Sequence, residues 1–298
     1  MRELLKSRPL LYHPFELLKK QHPYPGKKRN LESQTGRPKY RQIDNPAEQL
    51  KTIQRRILRR ILSEVDLPPY MFGAVAGKTL AQHAEKHIKN QSTTVVRMDI
   101  SSYYPSITCG HVYSVWRNVL NCPPPVARIL TELTTFDFHL PQGAPTSPAI
   151  ANIFLASIYA PICLASEQKD LTITTWVDDL IFSGAAARTV MGEVRAVLAS
   201  NGLKIAPRKR EVLGPKTVKV ITGVRLGRFT TRASREKVSE LRAALHRLAT
   251  GKVKPEELDR YRQNLTARIA HVASIHRGDA EKLRCQAKVL GVNLKAAD

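Results

Sequence analysis

The chain has 298 residues, with 48 Lys and Arg against 25 Asp and Glu, for a formal net charge of +23 at pH 7. The excess runs through every third: 19 basic against 8 acidic residues in 1–93, 15 against 9 in 94–233 and 14 against 8 in 234–298. That spread points to a long polyanion-binding surface of the nucleic-acid kind, the plainer alternative being basic residues that only aid solubility. No apolar run has transmembrane length, and Arg2, Glu3 and Lys6 interrupt any signal-type segment, so membrane attachment fits poorly. Cys109, Cys122, Cys163 and Cys285 lie far apart with no Cys-x-x-Cys, which argues against a zinc ribbon or disulfide framework and fits a reducing cytoplasm.

Residues 1–45 are rich in Pro, Lys and Arg, with turn signals at Pro23-Tyr24-Pro25-Gly26 and Thr35-Gly36-Arg37-Pro38. They suit a short helix followed by an exposed basic loop or hairpin. From about Pro46 to Val65 a helix is predicted. Leu50, Ile53, Ile57, Leu58, Ile61, Leu62 and Val65 form one face, and Lys51, Arg55, Arg56, Arg59 and Arg60 the other. Such a charged face is usually just solvated; five cations with no intervening acid make a phosphate-facing surface an equal alternative. His83 and His87 stand four apart on a predicted helix, which mimics half a zinc site. The acid sits two after the first His, unlike His-Glu-x-x-His, and no third ligand suggests itself, so both read as helix-surface or nucleic-acid-contacting residues.

Residues 94–100 read as a strand ending in Asp99, and Trp116 and Phe136 as core or surface filler. Ser147 as N-cap and Pro148 at the first helical position open a helix that is apolar nearly all round to about Leu164, and that should be buried against a sheet. Residues 172–177 and 180–182 read as hairpin strands around Asp178-Asp179. Two adjacent carboxylates repel each other, and a divalent cation would neutralise them. Magnesium, which prefers one or two carboxylates plus phosphate oxygens, suggests a nucleotide-handling site. Most Asp-Asp pairs are merely solvated turns, so this pair alone decides nothing. Residues 218–226 and 229–231 look like a further hairpin, and 234–249, 255–274 and 279–290 like three helices.

Three segments combine: Asp99 at a strand end, the stiff loop Leu140-Pro141-Gln142-Gly143-Ala144-Pro145-Thr146-Ser147-Pro148, and Asp178-Asp179 on a hairpin. In this order and spacing they resemble the palm of reverse transcriptases, most of all the bacterial retron type. Its segments read as an aspartate followed by paired aromatics, Pro-Gln-Gly-x-Pro-x-Ser-Pro, and Tyr-Ala-Asp-Asp. The Pro-Gln-Gly-Ala-Pro-Thr-Ser-Pro run is highly specific. Arg41, Ile43 and Pro46 match the finger segment Arg-x-Ile-x-x-Pro, and 265–283 a thumb segment, so nearly the whole chain is covered.

The resemblance implies an α+β right-hand polymerase: fingers over 1–93, a ferredoxin-like palm (antiparallel sheet plus helices) over 94–231, and a three-helix thumb over 232–298. The reaction would be RNA-templated addition of deoxynucleotides to a primer hydroxyl with release of pyrophosphate. Asp99 and Asp178 would hold two Mg²⁺ ions (Mn²⁺ as substitute) roughly 3.5–4 Å apart, one activating the hydroxyl and one bridging the phosphates. Asp179 would complete the acidic site as a looser ligand, and the Ile100 carbonyl would add a further one. Tyr104 would close on the sugar and reject a ribose 2′-OH, with Tyr103 as packing. Gln142 and Gly143 would line the nucleotide and template pocket, where Gly permits close backbone approach. Lys39 and Arg41 would contact the triphosphate, or else form a solvated basic loop. Lys209 matches the lysine that protonates the pyrophosphate leaving group; a plain phosphate-binding patch with Arg208 and Arg210 is an equally good reading. Arg55, Arg56, Arg59, Arg60 and Trp176 complete the nucleic-acid contacts.

The chain departs from the retron pattern in places. His83 stands where Asn is usual, Ile221-Thr222-Gly223 replaces Val-Thr-Gly, and Trp176-Val177 replaces Tyr-Ala. The last change swaps a hydroxyl for an indole N–H beside the expected primer terminus. The chain ends directly after the thumb segment, with no space for an RNase H, endonuclease or maturase extension. A compact cytoplasmic enzyme is therefore expected, without a membrane partner. Its dedicated structured RNA would be template and primer, its product single-stranded DNA joined to RNA, and a separate effector protein its partner in anti-phage defence. Two alternatives stay open: another bacterial reverse transcriptase (defence-linked, diversity-generating or CRISPR-associated), or a non-catalytic RNA-binding scaffold.

Overall fold

The computed structural model of the chain describes residues 11–18 and 40–294. The turn signals within 23–38 and the expected contact of Lys39 lie outside them. The chain divides into two compact units, and among the described residues the first holds 11–18, 40–78 and 93–214, the second 79–92 and 215–294. These cuts fall elsewhere than the expected fingers–palm–thumb boundaries, because 79–92 packs with the C-terminal segment rather than with the residues preceding it.

In the first unit, strands β1 (Tyr12–Leu18) and β2 (Tyr40–Pro46) form an antiparallel ladder from Tyr12↔Pro46 to Leu18↔Tyr40. The predicted amphipathic helix follows at Glu48–Arg60, its apolar side buried at Leu50 and Ile57. Gln54 joins that buried side, donating to the Tyr12 hydroxyl at 3.1 Å and to the Leu133 carbonyl at 2.9 Å. Tyr12 stacks on Phe136, and Trp116 is fully buried, so these aromatics belong to the core.

The main sheet contains β3 (Thr94–Asp99), β4 (Thr172–Trp176), β5 (Asp179–Gly184) and β6 (Glu211–Leu213) in the order β4–β5–β3–β6, antiparallel throughout. Helices separate β3 from β4, and the helix Met191–Ser200 separates β5 from β6. This is the βαββαβ ferredoxin-like arrangement. Side chains alternate across the strands. Val96, Met98, Leu180 and Phe182 are fully buried in a core shared with Ile150, Ile153 and Leu155, while Arg97, Asp99 and Asp179 project from the other face.

The expected buried helix is present but broken. It runs over Ser147–Ile158, then bends by 58° into Ala160–Gln168, rather than continuing to Leu164. Pro161 explains the break, since it lacks an N–H and its ring clashes with the preceding turn. The N-cap position falls on Thr146, one residue before the expected Ser147. Among the described residues no single helix is long and apolar enough to cross a membrane, and only this bent, partly buried pair passes on combined length.

The second unit carries a three-stranded meander, β7 (Val220–Ile221), β8 (Val224–Leu226) and β9 (Thr231–Ala233), where a two-stranded hairpin was expected. The helices Arg235–Ala249, Leu258–Ile275 and Arg277–Val289 match the three predicted ones closely and bury Leu241, Leu245, Leu265, Ile269 and Leu283. Asp279 accepts from the Arg232 guanidinium and from the Ala233 N–H at 3.1 Å, which ties β9 to the last helix. His83 and His87 are not surface residues: both are fully buried, their rings edge to face, with His83 Nδ1 3.2 Å from the Thr222 hydroxyl. The spacing that suggested an exposed face places them instead on the inward side of the short helix Leu80–Glu85 and its following turn.

Candidate active site

The β3–β5 register sets Asp99 directly opposite Asp179. On the other side of β5, Trp176 pairs with Asp179, so Val177 and Asp178 alone form the loop of the β4–β5 hairpin. Val177 has φ of 56°, a left-handed conformation that a β-branched residue disfavours. Such a residue costs about 1–3 kcal/mol and persists only where its surroundings over-determine it. Here they do. Thr175 donates to the Tyr70 carbonyl at 2.8 Å, and Phe72 donates to the Thr175 carbonyl at 3.0 Å, so 70–72 runs along β4 as a parallel edge. Gly73 then lies against the loop: a Cβ there would stand 2.5 Å from the Val177 nitrogen. Asn152, from the buried helix, donates to the Gly73 carbonyl at 2.8 Å. From the opposite side the Ile100 N–H donates to the Asp178 carbonyl at 2.9 Å.

Charge is distributed unevenly over the three acids. Lys209 Nζ lies 2.7 Å from each carboxylate oxygen of Asp99. Arg97 forks onto Asp179, with Nε 3.0 Å from Oδ1 and an Nη on Oδ2. Burial, and then repulsion from Asp99 and Asp179, pushes the Asp178 carboxyl up to about 6. Burial, with repulsion from Asp179, also raises Asp99, against the opposing pull of Lys209 and Arg97. Burial works against the charged form of Arg97, but Asp179, with Glu211 and Asp99 beyond it, holds its pKa above the usual range.

The donors offered are carboxylate oxygens, hard ligands suited to Mg²⁺-like cations. Among the described residues no three His, Cys, Asp or Glu side chains are gathered closely enough to hold one metal ion. The raised Asp178 carboxyl and its two acidic neighbours nevertheless carry the excess negative charge that a divalent cation relieves, so the residues fit such an ion chemically.

Around the acids, Tyr103 is buried and donates to the Ala151 carbonyl at 2.7 Å, a packing position. Tyr104 is half-buried; burial, with Asp178 nearby, raises its hydroxyl to about 12, and Arg41 acts on it in the opposite direction. Arg41 itself is exposed on β2. Gln142 and Gly143 are stapled to β2 through Asp44. The Asp44 N–H donates to the Gln142 carbonyl at 2.8 Å, and the Gln142 N–H donates to Asp44 Oδ2 at 3.1 Å. Gly143 has φ of +128°, and a Cβ there would stand 3.0 Å from Ile43. Ile100 is buried, and Trp176 is half-buried at the loop. Lys209, Arg210, Arg55, Arg56, Arg59 and Arg60 are exposed. Arg55 pairs with Glu48, so the basic helix face has an acid on it after all. The Arg208 side chain, like Lys39, lies outside the described residues. Arg97, Asp44, Gly73 and Asn152 were not among the residues expected here. For Arg97 alone a signal existed: it stands two before Asp99, hence on the same strand face.

A ferredoxin-like sheet bearing an aspartate at the end of its first strand and two more at the adjoining hairpin is the palm of a right-hand polymerase. Residues 26–226 match the family reverse transcriptase (RNA-dependent DNA polymerase), and the chain belongs to that family. Several of its relatives are of retron type, as the sequence resemblance implied. It is 28% identical over 215 residues to the retron Ec86 reverse transcriptase of Escherichia coli, covering 71% of this chain and 66% of that one. It is 29% identical over 273 residues to the retron Mx65 reverse transcriptase of Myxococcus xanthus, covering 84% and 62%. A third, the retron Se72 reverse transcriptase of Salmonella heidelberg (strain 579083-10), is 33% identical over 145 residues, covering 49% and 38%. The chain thus spans less than two thirds of the length of each relative. Members of the family work with divalent metal ions.

Proposed function

We propose that this chain is an RNA-directed DNA polymerase of the retron type, extending a primer hydroxyl with deoxynucleotides. A dedicated structured RNA serves as template and primer, and single-stranded DNA joined to that RNA is the product. The observation that carries the reading is the clamped hairpin that sets Asp178 and Asp179 beside Asp99 at one end of the sheet. Phosphoryl transfer depends on positioning and charge neutralisation more than on covalent help. Two Mg²⁺ ions would activate the primer hydroxyl and neutralise the nucleotide phosphates when bound. Asp99 and Asp178 would hold them, with the Ile100 carbonyl as a further ligand. Tyr104 faces the sugar, and Gln142 and Gly143, fixed by Asp44, shape the pocket wall. Arg41 and Lys39 take the triphosphate, and Lys209 delivers a proton to the leaving pyrophosphate. Trp176 borders the primer terminus. The Arg55–Arg60 face and the Arg208 and Arg210 patch neutralise backbone phosphates. Fingers over 1–93, palm over 94–231 and thumb over 232–298 are part of the same reading, as are a cytoplasmic setting and an effector protein in phage defence.

Primer extension on an RNA template with deoxynucleotides tests the polymerase. Wild type extends and Asp178→Asn does not; equal incorporation by both rules out the site. Sequencing the nucleic acid that co-purifies tests the retron reading. One structured RNA covalently joined to single-stranded DNA, absent from Asp178→Asn, supports it, and heterogeneous RNA without linked DNA overturns it.

A further inference from the structure

The three acids of the site are not equivalent, and what separates them is the kind of base each one meets. Arg97 lies on β3 two residues before Asp99, opposite Ile181 and therefore diagonal to Asp179, within reach across the ladder. Its planar fork satisfies both Asp179 oxygens at once, a geometry Lys does not reproduce. The pair is largely out of water, with side chains 25% and 12% exposed. Asp99 instead meets Lys209, a single ammonium on a flexible stem whose side chain is 50% exposed. Asp178 makes no ion pair among the described residues. An arriving cation can therefore displace Lys209 into solvent at little cost. Displacing Arg97 would strand a guanidinium beside the sheet, with Glu211, its register partner on β6, and the weaker influence of Asp99 left to face it.

We infer that Arg97 is a positioning residue that withholds Asp179 from the cation-holding set, so that Asp99 and Asp178 alone carry the divalent ions. The inference rests on the polymerase reading of this site. Asp179 acts as the buried counter-charge of Arg97, and Arg97 removes one negative charge from a pocket that must admit a triphosphate.

Mn²⁺ binding to the full chain, without template, primer or nucleotide, tests it, read by the electron paramagnetic resonance of free Mn²⁺. Arg97→Met frees Asp179 to join the ligands, and Mn²⁺ affinity rises about tenfold. Asp179→Asn alone leaves the Arg97 charge uncompensated and lowers affinity by no more than about tenfold, whereas the double variant, with both charges gone, stays within about twofold of wild type. Arg97→Lys, which keeps the charge without the fork, falls between wild type and Arg97→Met; it carries the test should Arg97→Met fail to fold by circular dichroism. Loss of Mn²⁺ binding in the double variant makes Asp179 a ligand and overturns the inference. So does an unchanged affinity in folded Arg97→Met, or in folded Arg97→Lys where that variant carries the test. Because no polymerisation is read, a chain that binds Mn²⁺ in this pattern but never extends a primer upholds the assignment of Arg97 and refutes the function.

Discussion

Lys209 donates to both carboxylate oxygens of Asp99 at 2.7 Å, from a short turn at Pro207–Lys209 that leads into the edge strand β6 of the same sheet. Removing the ammonium leaves only the weaker pull of Arg97 against burial at Asp99, whose pKa then climbs. Single-turnover extension by Lys209→Met should show its acid limb moved to higher pH, with a rate lower by about 10²–10⁴-fold if the proton donor is lost. Lys209→Arg separates the two readings of this residue. A guanidinium does not give up its proton in this range, so a general-acid role leaves Lys209→Arg slow. A phosphate-binding role lets it recover the rate.

Asp178 should act on stability in the direction opposite to most acids. Its carboxyl is raised from 3.8 to about 6 in the folded chain, so between those values the folded state holds a proton that the unfolded state has released. Stability from this group is complete below about 4 and is lost as pH rises through 6. Asp178→Asn should therefore stabilise the metal-free protein above pH 6 by about 1–3 kcal/mol, with the gain vanishing near pH 4. Urea unfolding of both proteins in chelator across this range is the check.

Gly73 tests the clamp on the catalytic loop. A methyl group there meets backbone, not a flexible side chain, so the loop must move. Gly73→Ala should cost about 1–3 kcal/mol in denaturant unfolding and slow extension by about 10²-fold through misplacement of Asp178. Gly192→Ala, with nothing within 4 Å of the added Cβ, is the control and should leave the extension rate unchanged.

Much of the site was legible because the acids, the Pro-Gln-Gly loop and the strand patterns sit close together in sequence. Asp99 was read at its observed strand end and the three C-terminal helices close to theirs, but the hairpin turn was read one residue late: its loop is Val177-Asp178, and Asp179 already opens β5. What escaped depends on register or on distant packing. The fork of Arg97 on Asp179 exists only once β3 and β5 are aligned. Gly73 acquires meaning only where the chain returns 104 residues later to lay Val177 against it. Asp44 looked like any loop acid until Gln142 came to rest on it. His83 and His87 misled because periodicity identifies a helix face without saying what covers it.

His87 gives the second unit an acid-sensitive element. Burial, and then His83, lowers it from 6.5 to about 3. Between these values the unfolded chain takes up a proton that the folded chain refuses. Stability from this group is thus intact above 6.5 and falls as pH drops toward 3, by about 1.4 kcal/mol per pH unit. His87→Gln should flatten the stability–pH slope by one proton over that interval, measured by urea unfolding of wild type and variant side by side.

The two-residue loop of Val177 and Asp178 also fixes what lengths of chain the site tolerates. Neighbours on β5 point to opposite faces, so the position of Asp179 depends on parity as well as distance. Inserting one residue after Trp176 without altering the ladder would send Leu180 out toward the nucleotide and turn a carboxylate into the oily side of the sheet. Sequence can drift at Trp176 and Val177, as it has here relative to the retron pattern, but the count between strands cannot.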